Sequence, residues 1–186
     1  IPPIADYFDK TMHLSVVSDE AFRLDASQAI CMLIDALRYL SNPEDKVACA
    51  SLMMNYESGI KKQGGDWDSL LTAKPEEALP EAFVTGMETL RLMPLYELLE
   101  ELFSLFEMKR IEEQDAYLFS FFDAVTEYLQ NNSSDLDAFI RYWNETLCNK
   151  TIPSGEMDGI RILSIHKSKG LEFHTVLIPY CDWKLE

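Results

Sequence analysis

The sequence predicts a mostly α-helical protein with a small β portion, a helical bundle attached to strands contributed by both chain ends. Three observations carry this. Between residues 25 and 148, apolar side chains recur at three- and four-residue steps, the period of helices with one buried face. After residue 159 the period changes to short continuous apolar runs, as in buried strands. Residues 13–17 supply an extended run near the start. Strand, helices, strand is the order produced when a helical segment is inserted into an α/β domain whose sheet both ends share.

The elements follow in order. Residues 4–10 read as a short helix, and 13–17 as a strand favoured by the paired Val16 and Val17. From Asp25, the set Ala29, Ile30, Leu33, Ile34, Leu37 and Leu40 lies on one helix face. Asn42 is expected to cap a second helix, with Pro43 in its first position and Glu44 and Asp45 in its first turn, running to about Tyr56. Residues 59–65, which include Gly59, Gly64 and Gly65, are the candidate linker.

Helices are then expected near 67–72, 76–91, 94–108, 113–130 and 135–148, with Pro75, Pro80 and Pro94 near helix starts and a turn at 131–134. Leu95, Leu98, Leu99, Leu102, Phe103 and Phe106 form one apolar stripe, and Leu118, Phe119, Phe122, Val125, Tyr128 and Leu129 another. Both are read as bundle core, with a partner-binding groove as the alternative. Residues 152–159 break the pattern, and strands are expected at 160–165 and 175–179.

Composition bounds the function. With 47% hydrophobic residues in 186, a packed core is expected. No apolar run approaches the ~20 residues that span a bilayer, and the first residues form no signal peptide. Cys31, Cys49, Cys148 and Cys181 are widely spaced and, with His13, His166 and His174, form no ligand cluster. They are read as reduced, buried thiols of a cytoplasmic protein, with no metal site. The absence of an initiator Met suggests an excised piece. The net charge of −16 is unfavourable for direct contact with nucleic acid. It is uneven, however: residues 66–137 carry 17 acidic and 4 basic side chains, whereas 151–186 carry 5 and 4. The acidic helical surface is therefore expected to face a protein partner or to serve autoinhibition rather than grip DNA.

One segment carries chemistry. Residues 164–173 follow one expected strand and precede another, in the position where α/β sheets bind ligands. The segment holds the hydroxyls of Ser164 and Ser168, the ammonium groups of Lys167 and Lys169, the His166 imidazole, Gly170 and the Glu172 carboxylate. Hydroxyls and Lys suit phosphate oxygens, and a lone carboxylate suits ribose hydroxyls. Read alone, this is a polyanion-binding loop or a solvated basic turn.

The run His166, Ser168, Lys169, Gly170, Leu171, Glu172 and Phe173, with Val176, Leu177 and Ile178 as the following strand, resembles motif V of UvrD/Rep-type superfamily 1 DNA helicases. Ser164 stands where that family usually has Thr and keeps the hydroxyl. The resemblance implies that Ser164, His166 and Lys167 meet the tracked single strand, and that Lys169, Gly170 and Glu172 face the nucleotide, Glu172 at the ribose. Residues 18–22 and 36–45 resemble the stretch after motif IV, where such helicases enter a helical insertion called 2B, and incline towards the AddA/RecB branch.

The resemblance implies three parts: residues 1–60 as the start of the second RecA-like motor domain and of the insertion, 61–150 as the acidic 2B-like insertion, and 151–186 as the return to an incomplete RecA-like domain with motif V. No G-x-x-x-x-G-K-[ST] phosphate loop is present, nor a Walker-B-type acidic pair, an arginine segment of the motif VI kind or a nuclease constellation. ATP and Mg2+ therefore belong to a full-length parent, as does the first motor domain. The isolated chain is expected to bind neither and to hold no catalytic residue. The parent is read as an ATP-dependent 3′–5′ DNA helicase, with or without a nuclease, in DNA repair or recombination, acting on single-stranded and duplex DNA. The alternative from another class is an acidic, all-helical protein-interaction module with no enzymatic role.

Overall fold

A computed structural model describes residues 7–8, 11–14, 16–18, 23–62, 73–152, 160–166 and 168–179. The chain divides into two compact units, one formed by residues 1–19 and 157–186 and the other by residues 20–156. The second unit holds seven α-helices among the described residues, α1 (Gln28–Ser41), α2 (Lys46–Tyr56), α3 (Pro75–Ala78), α4 (Glu81–Leu90), α5 (Leu95–Leu105), α6 (Asp115–Asn131) and α7 (Leu136–Glu145), and in the first unit Tyr7, Phe8, Thr11 and Met12 are helical. None is long and apolar enough to cross a membrane.

Helix α1 is central because it is apolar nearly all round, and ten of its fourteen residues are buried. It packs against α2, α5, α6 and α7. Its N-cap, Ser27, accepts a hydrogen bond from the Ile30 N–H (3.2 Å) and donates its own hydroxyl to Gln114 Oε1 (2.6 Å), fixing α1 to the residue before α6. Phe83, Phe106, Phe121 and Phe139 are fully buried around it, with Phe83 and Phe106 5.0 Å apart and Phe121 set edge-on to Trp143 at 5.9 Å. The neck of this unit is closed: Arg23 forms an antiparallel bridge with Thr151, and the Leu24 N–H donates to Lys150 O (2.9 Å).

Several boundaries differ from the sequence reading, each for a local reason. Asp45 rather than Asn42 caps α2, accepting from the Val47 and Ala48 N–H groups at 3.0 Å each. Asn42 instead accepts from Glu44 N at 3.2 Å, so its side chain stabilises the turn ahead of the helix. Asp45→Ala is expected to cost about 1 kcal/mol in urea unfolding, and Asn42→Ala less than half of that. The helix expected over 76–91 divides at Leu79, whose backbone is extended (ψ 161°) because Pro80 follows it. The helix expected over 94–108 stops at Leu105, and Glu107 turns left-handed (φ 52°) before a short 3-10 turn at Met108–Arg110. The last helix stops at Glu145, followed by a 3-10 turn at Leu147–Asn149.

The candidate linker begins as a continuation of α2. Glu57–Lys61 forms a π-helical turn, and Ile60 is buried in the core. A Cβ at Gly59 would lie 3.1 Å from the Gln28 side chain, so this glycine serves close packing against the start of α1. Gly64, Gly65 and the helix expected at 67–72 lie outside the described residues. So do most of the helix expected at 4–10, and Cys181. Cys31, Cys49 and Cys148 are free thiols. Burial and the nearby Asp35 and Asp25 push Cys31 up to about 11, so it stays a protonated thiol at neutral pH.

In the first unit, β1 (Val16–Ser18) and β2 (Ile160–Ile162) pair in parallel, with Val16 opposite Ile160 and Ser18 opposite Ile162. The two ends of the chain thus share a ladder. This pair is the only sheet among the described residues, and no RecA-like α/β sheet is seen there. Residues 175–179, expected as a buried strand, are assigned to none, and Val176 and Leu177 are exposed. An apolar run becomes a buried strand only when neighbouring strands and a covering layer accept it.

Candidate functional site

The loop after β2 is shaped by its backbone. β2 ends at Ile162, Leu163 is half-buried, and Ser164, Ile165 and His166 emerge into solvent. The Ser168 N–H donates to Ser164 O (3.1 Å), closing one turn, and the Ser168 hydroxyl donates to Ile165 O (2.9 Å). The Leu171 N–H then donates to Ser168 O (3.0 Å), closing a β-turn with Lys169 and Gly170 in the middle. Gly170 sits at φ +84°, the left-handed conformation that the third residue of a type II turn needs. Apart from its chain neighbours, no heavy atom of the described residues lies within 4 Å of where its Cβ would be, so the requirement for glycine comes from the backbone.

The structure places Ser164, His166, Lys169, Gly170 and Glu172 on this one exposed double turn. Lys167 lies outside the described residues. Among the described residues, neither Lys169 nor Glu172 makes an ion pair, so both charges are presented to solvent. The turn offers peptide groups, an ammonium, an imidazole and a carboxylate within ten residues, a set that can contact a polyanionic backbone and a sugar hydroxyl together. Among the described residues no group of three or more His, Cys, Asp or Glu converges.

The loop is bordered by exposed apolar side chains. Ile165, Leu171, Phe173, Val176 and Leu177 are each 40–76% exposed.

Of two further features, one is the alternative reading of the two helix stripes and the other was missed in the sequence. The first is a cavity of about 760 Å³ between α5 and α6, which lies wholly on the helical unit and includes none of the loop residues. Both helices had been read as core, yet Phe119 is 74% exposed. The signal was present, because Leu118, Phe119 and Phe122 together form an apolar arc wider than one buried face needs. The second is Asp35, a buried carboxylate on α1. It accepts hydrogen bonds from the Ser51 hydroxyl, Asn55 Nδ2 (3.3 Å) and the Arg38 guanidinium (3.2 Å). A single acid within an otherwise apolar helix was its sequence signal.

No curated protein and no solved structure matches this chain. The sequence pattern of the UvrD-like helicase C-terminal domain matches residues 71–184, well over half of the 186 residues and including the whole double turn. The chain therefore belongs to the UvrD-like helicase C-terminal domain family.

Proposed function

We propose that this chain is part of an ATP-dependent 3′–5′ DNA helicase of the AddA/RecB branch, and that residues 164–173 are its motif V. On this reading, residues 1–60 begin the second RecA-like motor domain and the insertion, 61–150 complete the acidic 2B-like insertion, and 151–186 return to the motor domain. The observation that carries the proposal is the parallel pairing of β1 with β2. It joins the two chain ends in one ladder and sets the double turn at the carboxyl end of β2. The closed neck at Arg23 and Thr151 supports an insertion that begins near residue 20, and α1 and α2 then belong to its core. The exposed apolar border supports further strands and helices of the parent packing on this segment.

UvrD-like helicases use ATP with Mg2+, whose hydrolysis supplies the free energy for stepping along DNA. The residues of this chain then divide the work at the loop. Glu172 accepts hydrogen bonds from ribose hydroxyls, Gly170 lets the backbone approach the nucleotide, and Lys169 supports the turn or a phosphate. Ser164 and His166 hydrogen-bond the single-strand backbone, with Lys167 beside them. Because both sets sit on one turn, a shift on the nucleotide side displaces the DNA side.

The test is unwinding of a 3′-tailed duplex by the full-length parent, wild type beside Glu172→Ala and His166→Ala. Each variant is expected to lose unwinding by at least about 100-fold with folding intact. Glu172→Ala should also raise the KM for ATP, and His166→Ala should uncouple ATP hydrolysis from strand movement. Full unwinding by both variants would return the chain to the reading of an acidic interaction module.

A further inference from the structure

The cavity between α5 and α6 is a groove with two helix faces as walls. Tyr96 and Phe103 line it from α5, and Phe119 and Phe122 from α6. On each helix these residues are spaced at three-, four- or seven-residue steps, so each wall is one continuous stripe. Tyr96 meets Phe122 edge-on at 5.5 Å and closes the floor, whereas Phe119 stands free on the rim with 74% of its surface exposed. Such a ring has no structural task where it stands.

The electrostatics of the walls say what would sit there. Glu100, Glu107 and Asp115 line the groove together with Lys109 and Arg110, and the rest of residues 95–123 adds the exposed carboxylates Glu97, Glu101, Glu112, Glu113 and Asp123 and no further base. Glu107 is paired with Arg110 (2.8 Å) and Glu112 with Lys62 (3.0 Å). Glu100 and Asp115, which flank the aromatic floor, make no ion pair among the described residues. An apolar trough whose surroundings carry an excess of carboxylates, with Arg110 already paired to Glu107, is complementary to a helix that has an apolar stripe bordered by Lys and Arg.

We propose that the α5–α6 groove is a docking site for a basic amphipathic helix of another polypeptide. The walls span two to three turns, which suits apolar anchors at i, i+4 and i+7 of the incoming helix, with Phe119 closing over the middle anchor. This proposal stands on the helical unit alone and does not depend on the role of the loop.

The probe is a fluorescein-labelled Leu/Lys amphipathic peptide of about 18 residues, titrated with the full 186-residue chain and read by anisotropy. A peptide of the same composition with its leucines scattered around the helix tests for simple attraction to a chain of charge −16. The amphipathic peptide is expected to bind at least about tenfold tighter than the scattered one. Phe119→Ser, which alters an exposed ring and leaves the core intact, is expected to weaken it by about tenfold or more. Glu100→Lys with Asp115→Lys should weaken it further and flatten its salt dependence, whereas charge reversal at Glu44 and Glu81, on other elements, should have a smaller effect. Equal binding of the two peptides, or unchanged binding by Phe119→Ser, would overturn the proposal in favour of diffuse attraction. Concentration-dependent dimerisation abolished by Phe119→Ser would overturn it in favour of a second copy of this chain.

Discussion

Phe121→Ala is expected to lower the unfolding free energy by about 3–5 kcal/mol, the largest single effect among the variants considered. The Phe121 side chain is fully buried and meets Phe122, Phe139 and Trp143 edge-on at 5.8, 6.3 and 5.9 Å. It therefore holds α6 against α7, a helix with few anchors: Phe139 and Trp143 are the only buried positions of α7. Truncation removes the transfer free energy of the ring and leaves a cavity that neighbouring rings cannot refill without leaving their rotamers. Against a typical domain stability of about 5–15 kcal/mol this is a severe loss. Urea unfolding followed by circular dichroism should show a lower midpoint with an unchanged slope. Phe119→Ala is the matched control: the same chemistry, one turn face away and exposed, is expected to change stability by less than about 0.5 kcal/mol.

Asp35→Ala is expected to cost about 2–3 kcal/mol. The carboxylate links α1 to α2 through Ser51 and Asn55, and it holds Arg38, which in turn donates to Asn144 Oδ1 on α7 (2.6 Å). Alanine leaves those half-buried donors without their shared acceptor. The same site makes a pH-dependent prediction. Burial raises the Asp35 pKa above its ordinary 3.8, and the hydrogen bonds from Ser51 and the charge of Arg38 only partly oppose this. The folded state therefore binds the proton more tightly than the unfolded chain. The Asp35 contribution is most favourable below pH 3.8 and declines as pH rises through the raised folded value. In chemical denaturation from pH 3.5 upwards, wild type should lose stability relative to Asp35→Asn across that window. A difference that stays flat with pH would mean that Arg38 and Ser51 hold the carboxylate at its ordinary value.

The helices were legible because packing demands period. The stripe from Ala29 to Leu40 predicted α1, and these residues are indeed the centre of the core. The ends of helices were less legible. Asn42 and Asp45 are both good caps three residues apart, and the choice between them rests on which one meets free N–H groups once Pro43 has turned the chain. At the candidate site, the double turn was readable from Lys169, Gly170 and Leu171, because only glycine accepts φ +84° without strain. What lies on either side of it was not. Residues 175–179 have the composition of a buried strand and are instead exposed, since a strand is a property of a sheet and not of five residues.

By itself the sequence determined the mostly helical class, the acidic middle, the glycine-dependent turn with its array of polar groups, and the membership that the pattern over 71–184 carries. These are properties of local periodicity, charge and backbone preference, which act over a few residues at a time. Only the tertiary structure decided that residues 16–18 and 160–162 pair in parallel, that Gly59 serves packing, that Asp35 is buried among donors, and that Phe119 stands on the rim of a groove. Each of these depends on which distant segments come together. Contacts between residues tens of positions apart are set by the packing of whole helix faces, for which no single stretch of sequence holds the information.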